Sequence, residues 1–217
     1  MNATVRKLTD TTDTTEVTKL APPAPGQRLQ IADTPFPGDY AAWLVGCHGG
    51  AGTSTLAASL AHLGDAGQII PAANTPAMIV LCASSNREGL EAAHRAVIQC
   101  QSELTAPATL LGLVLVDING PSRLPRSLSR KLTAREAVVA NAINGQLWRV
   151  PHIPAWTAML HDDLPEWDPM PDDDTETLSD KQIAKTSATE HVPLSVVDTG
   201  RDILDQARTI YTQITKH

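Results

Sequence analysis

The residues best placed to do chemistry lie together in the run WLVGCHGGAGTSTLAA, Trp43 to Ala58: His48, Gly49, Gly50, Ala51, Gly52, Thr53, Ser54 and Thr55. An apolar strand passes there into a glycine-rich turn that opens a helix. Gly49, Gly50 and Gly52 allow successive backbone N–H groups to converge on one point, and a helix beginning near Thr53 adds the positive end of its dipole. The chemistry implied is the holding of an anion, phosphate first of all.

Phosphate loops of the form GxxxxGK[ST] combine glycines that shape a nest, a lysine that neutralises phosphate charge and a hydroxyl that ligates magnesium. On that pattern Cys47 takes the place of the first glycine, Gly52 matches the second, Thr53 stands where the lysine belongs and Ser54 supplies the hydroxyl. The cradle is kept and its cation is missing. The run HGGAGTSTLA resembles the KGGxGKTT loop of the ParA/MinD-type ATPases, the deviant Walker A branch of the P-loop NTPases. The resemblance puts His48 at that branch's signature lysine and Thr53 at the ordinary P-loop lysine, so both cations of the family are lost while Gly49, Gly50, Gly52, Ser54 and Thr55 remain. It implies a nucleotide-binding protein with slow or no hydrolysis, with ATP and magnesium as cofactors. Residues Gly49 to Ser54 would surround the phosphates, Ser54 and Asp117 would hold the magnesium, and the loop of Pro151 to Pro154 would meet the base. Plasmid partitioning, conjugation, secretion or cell-pole positioning are the settings it suggests, with a nucleotide-dependent homodimer.

Positioning such a loop takes a sheet, and the pattern of elements predicts one. The runs IVLC and LVLV are continuously apolar, as parallel strands covered on both faces must be. Helices are expected at about Thr53 to Asp65 and at Glu88 to Gln101, where Leu90, Ala93, Val97 and Ile98 share a face. A basic helix follows LVLVD, then a short strand in QLWRV and a last helix in DILDQARTIYTQI, with Thr199 and Asp202 as a capping box. The fold class is α/β, a mostly parallel sheet flanked by helices. Between the loop helix and Ala77 only about a dozen residues remain, too few for the family's additional strand, helix and strand. Asp117, closing the apolar strand LVLVD, is therefore the candidate catalytic and metal-binding carboxylate, provided that its strand neighbours the first.

A chain of 217 residues, 42% hydrophobic, suits one domain with tails. Residues 1–32, rich in threonine and proline, read as a disordered tail, 33–160 as the domain, 161–190 as an acidic flexible linker and 191–217 as a closing segment and helix. Trp167 and Met170, set amid acid, make the linker a candidate surface for a protein partner. The net charge of −7 disfavours broad contact with nucleic acid, and Arg126, Arg130, Lys131 and Arg135 read as a solvated helix face. Three cysteines without paired spacing fit a reducing cytoplasm, and no apolar run approaches the ~20 residues of a membrane span. His62, His94, His152 and His161 lack metal spacing.

Two other readings compete. One is a pseudo-NTPase adaptor that binds partners without nucleotide. The other is a Rossmann-type NAD(P)-binding oxidoreductase, since Gly46, Gly50 and Gly52 fit a GxxxGxG turn. Against the second, no acidic residue closes IVLCASSN to hold a ribose, and neither Tyr40 nor Tyr211 has a lysine four residues on.

Overall fold

Met78–Ser84 carries no charged side chain, and every one of its residues is buried. Such a strand needs neighbours on both sides and cover on both faces. In the computed structural model, which describes residues 22–71, 77–102, 108–118, 125–170, 180–183 and 186–215, it receives all four. The elements are β1 (Gln30–Ile31), β2 (Ala42–Gly46), α1 (Thr53–Ser59), β3 (Leu63–Asp65), β4 (Ile69–Ile70), β5 (Met78–Ser84), α2 (Arg87–Gln101), β6 (Thr109–Val116), α3 (Arg126–Ala142), β7 (Gln146–Val150), α4 (Asp180–Ile183) and α5 (Leu194–Ile214). The main sheet has the order β3-β2-β5-β6-β7, with every pairing parallel, and β1 pairs with β4 beside it. The expected α/β class, a parallel sheet flanked by helices, is the one observed.

Alternation along the strands divides the core. Leu44, Val80, Cys82, Val114 and Trp148 pack with Leu56 and Leu60 of the α1 region and with Val196, Val197, Ile203 and Ala207 of α5. Val45, Ile79, Leu81, Leu113 and Leu115 pack on the other face with Leu90, Ala93 and Val97 of α2 and Val139 of α3. Each fully buried aliphatic side chain contributes roughly 1.5–3 kcal/mol. The strand ends, and so the site, are thereby held on a rigid layer. α2 is started by Asn86, whose side chain accepts the Gly89 N–H at 2.7 Å.

Several sequence expectations need correction. The loop helix stops at Ser59, not near Asp65, because Leu60 turns extended and Leu63–Asp65 joins the sheet beside Ala42–Leu44. Gly64 permits this: a Cβ there would lie 2.5 Å from the ring of Trp43. The residues expected to end the loop helix thus supply a strand next to β2, and Ile69–Ile70 in the stretch before Ala77 pairs with β1. The last helix begins at Leu194, with Thr199 inside it, where its hydroxyl donates to the Ser195 carbonyl, so Thr199 and Asp202 form no capping box.

The tail boundary also shifts. Residues 1–21 lie outside the described residues, but Leu29 exchanges two hydrogen bonds with the buried Gln99 side chain, at 2.7 and 2.9 Å, and β1 follows it. In the segment expected to be a free linker, residues 161–170 pack on the domain. Leu164 is buried. The Trp167 N–H donates to the Ser59 carbonyl at 2.9 Å, the Ala61 N–H donates to the Trp167 carbonyl at 3.1 Å, and Leu60 and Trp167 form a parallel bridge. Trp167 is half-buried, while Met170 is exposed as expected. Residues 171–179 lie outside the described residues.

Candidate functional site

β2, β6 and β7 run parallel, so their C-terminal ends open on one edge of the sheet, where ligands of open α/β sheets bind. The glycine turn leaves β2 at this edge and reaches α1 through Gly50 at φ +74° and Gly52 at φ +89°, left-handed values that suit glycine. Ala51 is tucked under the turn, whereas Gly49 and Gly50 are exposed, and a Cβ on Gly50 would meet nothing within 4 Å. Among the described residues, the amides of residues 48–52 donate no hydrogen bond to protein. The turn thus leaves these amides without an acceptor in the described protein. α1 has only seven residues, so its dipole is short.

Ser54, at the start of α1, donates to Asp65 Oδ2 at 2.6 Å, and Asp65 Oδ1 accepts the Gly67 N–H at 2.8 Å. This carboxylate closes β3, the strand beside β2, and is exposed. Sequence reading missed it. The available signal was the spacing of eleven residues between hydroxyl and carboxylate across a helix too short to fill it. Asp117, the carboxylate expected there, is not so placed. β5 separates its strand from β2. Its Oδ1 accepts the Ser85 hydroxyl at 2.5 Å and pairs with Arg149 Nη1 at 3.0 Å, and Arg149 also bonds Glu136. The Glu136 hydrogen bond, with Asp117 behind it, holds the guanidinium above its ordinary range. Asp117 is committed to Ser85 and Arg149 and lies apart from Ser54.

His48 also differs from expectation. Its Nδ1–H donates to the Gly49 carbonyl at 2.8 Å, and its Nε2 accepts the Ser84 N–H at 3.0 Å. That pairing fixes the neutral tautomer and turns the ring toward β5, so His48 is a latch on the turn and not an outward-reaching cation. Thr53 is 8% exposed and adds no charge. Burial pushes the ionisation of the Cys47 thiol well up.

Beside the turn lies a cavity of about 240 Å³ lined by Gly50, Gly52, Thr55, Leu56, Val116, Asp117 and Ile118, and on its far side by Val150 to Ile153, Trp156 and Thr157. Pro151 is in this wall. Pro154 is not, and instead opens the 3-10 turn Pro154–Ala158. Trp156 is locked by donating its indole N–H to the Ala188 carbonyl at 2.8 Å. No Lys or Arg is among the described lining residues. His161, which the sequence gave no reason to single out, sits with Nε2 3.3 Å from the Thr55 hydroxyl.

Arg126, Arg130, Lys131 and Arg135 lie on α3, as a helix there predicts. Arg135 pairs with Glu91 at 3.4 Å. Among the described residues no group of three or more His, Cys, Asp or Glu is arranged to hold a metal, and no helix is long and apolar enough to cross a membrane.

A family model described as a family of unknown function (DUF6668) matches residues 40–163, from just before β2 to the 3-10 turn after Leu160. No curated protein and no solved structure matches the chain.

Proposed function

The chain belongs to this family of unknown function, and from that premise we propose that it binds a nucleotide, ATP with magnesium, and hydrolyses it slowly or not at all. The observation that carries this reading is the pairing of Ser54 with Asp65 at 2.6 Å beside an open glycine turn on the central edge of a parallel sheet. In phosphate-loop proteins a loop hydroxyl and a strand-end aspartate share the magnesium ion. Here the donor set fits: two hard oxygens, one of them an exposed carboxylate oriented by Gly67, and too few protein ligands for a closed metal cage. When bound, magnesium would supply positive charge that neutralises part of the phosphate charge.

Within this reading the amides of Gly49 to Gly52 receive phosphate oxygens, and Ser54 and Asp65 hold the metal. The small cavity by Pro151 and Trp156 accepts a ring. Its volume is below the ~300–1,000 Å³ of sites that enclose a whole ligand, in keeping with phosphates lying outside it on the turn. With both lysines gone and His48 latched inward, no described side chain brings fixed positive charge to the end of a phosphate chain. Loss of such a contact weakens binding by roughly 1.5–3 kcal/mol and costs ~10³-fold or more in rate when it serves the transition state.

The adaptor reading is favoured by one observation, the absence of Lys and Arg from the described cavity wall. Calorimetric titration with ATP and magnesium separates the two. The nucleotide reading predicts saturable binding, and Thr53→Lys, whose long stem can carry an ammonium out of the buried position, should tighten it about ten- to a hundred-fold. No heat from either protein would favour the adaptor.

A further inference from the structure

The segment after β7 is acidic, yet it brings a histidine to the glycine turn. His161 heads the 3-10 turn His161–Asp163, packed on α1, with Nε2 3.3 Å from Thr55 Oγ1. Its position is fixed from both sides. Upstream, Trp156 is buried and bonded to Ala188. Downstream, Leu164 is buried and Trp167 is tied by backbone bonds to Ser59 and Ala61. The Trp167 ring also meets the His62 ring edge-on at 5.6 Å, and Arg201 lies 5.6 Å from its centroid. A side chain on so anchored a segment stands at a set place beside the turn.

Thr55 lines the cavity, whereas Ser54, bonded to Asp65 of β3, is not among its lining residues. A phosphate chain running from the cavity toward β3 would therefore pass Thr55 first. We propose that His161, as an imidazolium, supplies the positive charge that the turn lacks, donating Nε2–H to the phosphate nearest the base. This rests on the nucleotide reading and assigns that site a cation from outside the loop. The charged and titratable groups around His161 are Asp162 and Asp163 on its own turn, Asp65 beyond Ser54, and Asp117 and His152 at the cavity. α1, against which it packs, has no ionisable side chain. His48 is nearby in the turn, with both ring nitrogens engaged.

Histidine is the side chain whose charge can change between pH 5 and 8, so a contact that needs the charged ring is read by comparing binding at pH 6 and pH 8. The test is calorimetry of the full chain with ATP and magnesium at pH 6 and pH 8, for the unmodified protein, His161→Ala and His161→Lys. His161 is exposed, so neither variant should impair folding. Expected are affinity about ten-fold higher at pH 6 for the unmodified protein, the weaker value at both pH values for His161→Ala, and tight binding at both for His161→Lys. Comparison between variants cancels the titration of the nucleotide itself. A pH dependence undiminished in His161→Ala, or His161→Lys binding no tighter than the unmodified protein at pH 8, would overturn the role of His161 and leave nucleotide binding intact. No binding by any of the three at either pH would overturn both.

Discussion

Asp65 and Asp117 each stand at the end of a strand of the same parallel sheet, and the chain uses them differently. Asp65 closes a three-residue strand with one buried leucine and a glycine, and it receives the Ser54 hydroxyl. Asp117 follows an eight-residue apolar strand and is held by Ser85 and Arg149. A carboxylate after an apolar strand is thus not enough to stand beside the loop hydroxyl. What decides is whether its strand is hydrogen-bonded to the strand that carries the loop. β3 is, and β6 is separated from it by β5.

Replacing the two carboxylates separately tests this contrast. Asp65→Asn keeps an acceptor for Ser54 and removes the charge, so magnesium-dependent nucleotide affinity should fall by roughly 1.5–3 kcal/mol, while Asp117→Asn, in the cavity wall but bonded to Ser85 and Arg149 and not to Ser54, should leave the magnesium dependence within about two-fold. Calorimetry with and without magnesium reads both. Equal losses would erase the distinction.

The latch between the turn and β5, the strand that keeps the two carboxylates apart, comes next. His48→Ala leaves the Ser84 N–H without its acceptor, and Ser84 is 1% exposed. Stability in urea should drop by about 1–3 kcal/mol. Unchanged stability would mean that His48 is free to serve a ligand instead.

A slightly smaller effect is expected on the Asp117 side of the turn. A Cβ on Gly52 would lie 3.3 Å from Val116, next to Asp117, and alanine at φ +89° costs about 1–2 kcal/mol. Gly52→Ala should lower stability by that amount and weaken nucleotide binding with it. A protein as stable and as competent as the parent would show that the turn does not need its left-handed residue.

The smallest effect is on pH dependence, on the Asp65 side, where His62 precedes β3. Burial lowers its pKa, and the Gly200 carbonyl, which accepts the Nε2–H, only partly offsets this. The unfolded chain therefore binds the proton more readily than the folded one. Stability should be full above the ordinary imidazole range and decline as pH falls through it. Urea midpoints at pH 7.5 and 5.5 check the sign, and His62→Asn should reduce the difference.

Much of this arrangement was readable from residue order and much was not. β5, β6, β7, α2 and the glycine turn announced themselves because apolar runs, a helical stripe on Leu90, Ala93 and Val97, and clustered glycines are local signals. β3 was invisible because Leu63, Gly64 and Asp65 have no strand pattern of their own. They form a strand because Gly64 leaves room for Trp43 and because Ala42–Leu44 offers an open edge. Strand order is likewise set by tertiary pairing, and this is why residue order points to Asp117 whereas the carboxylate that receives the Ser54 hydroxyl is Asp65. The composition of residues 161–170 pointed to a free linker. Two side chains, Leu164 and Trp167, found a place against the α1 region and hold the segment down.

Backbone NMR of the isotopically labelled chain, titrated with ATP and magnesium, tests the nucleotide site most directly. Cross-peaks of Gly49, Gly50, Gly52, Ser54, Thr55 and Asp65 should move saturably, while those of Phe36, Tyr40 and Trp43 near the opposite end of the sheet stay in place. A spectrum that does not change, or changes confined to that opposite end, would contradict the account.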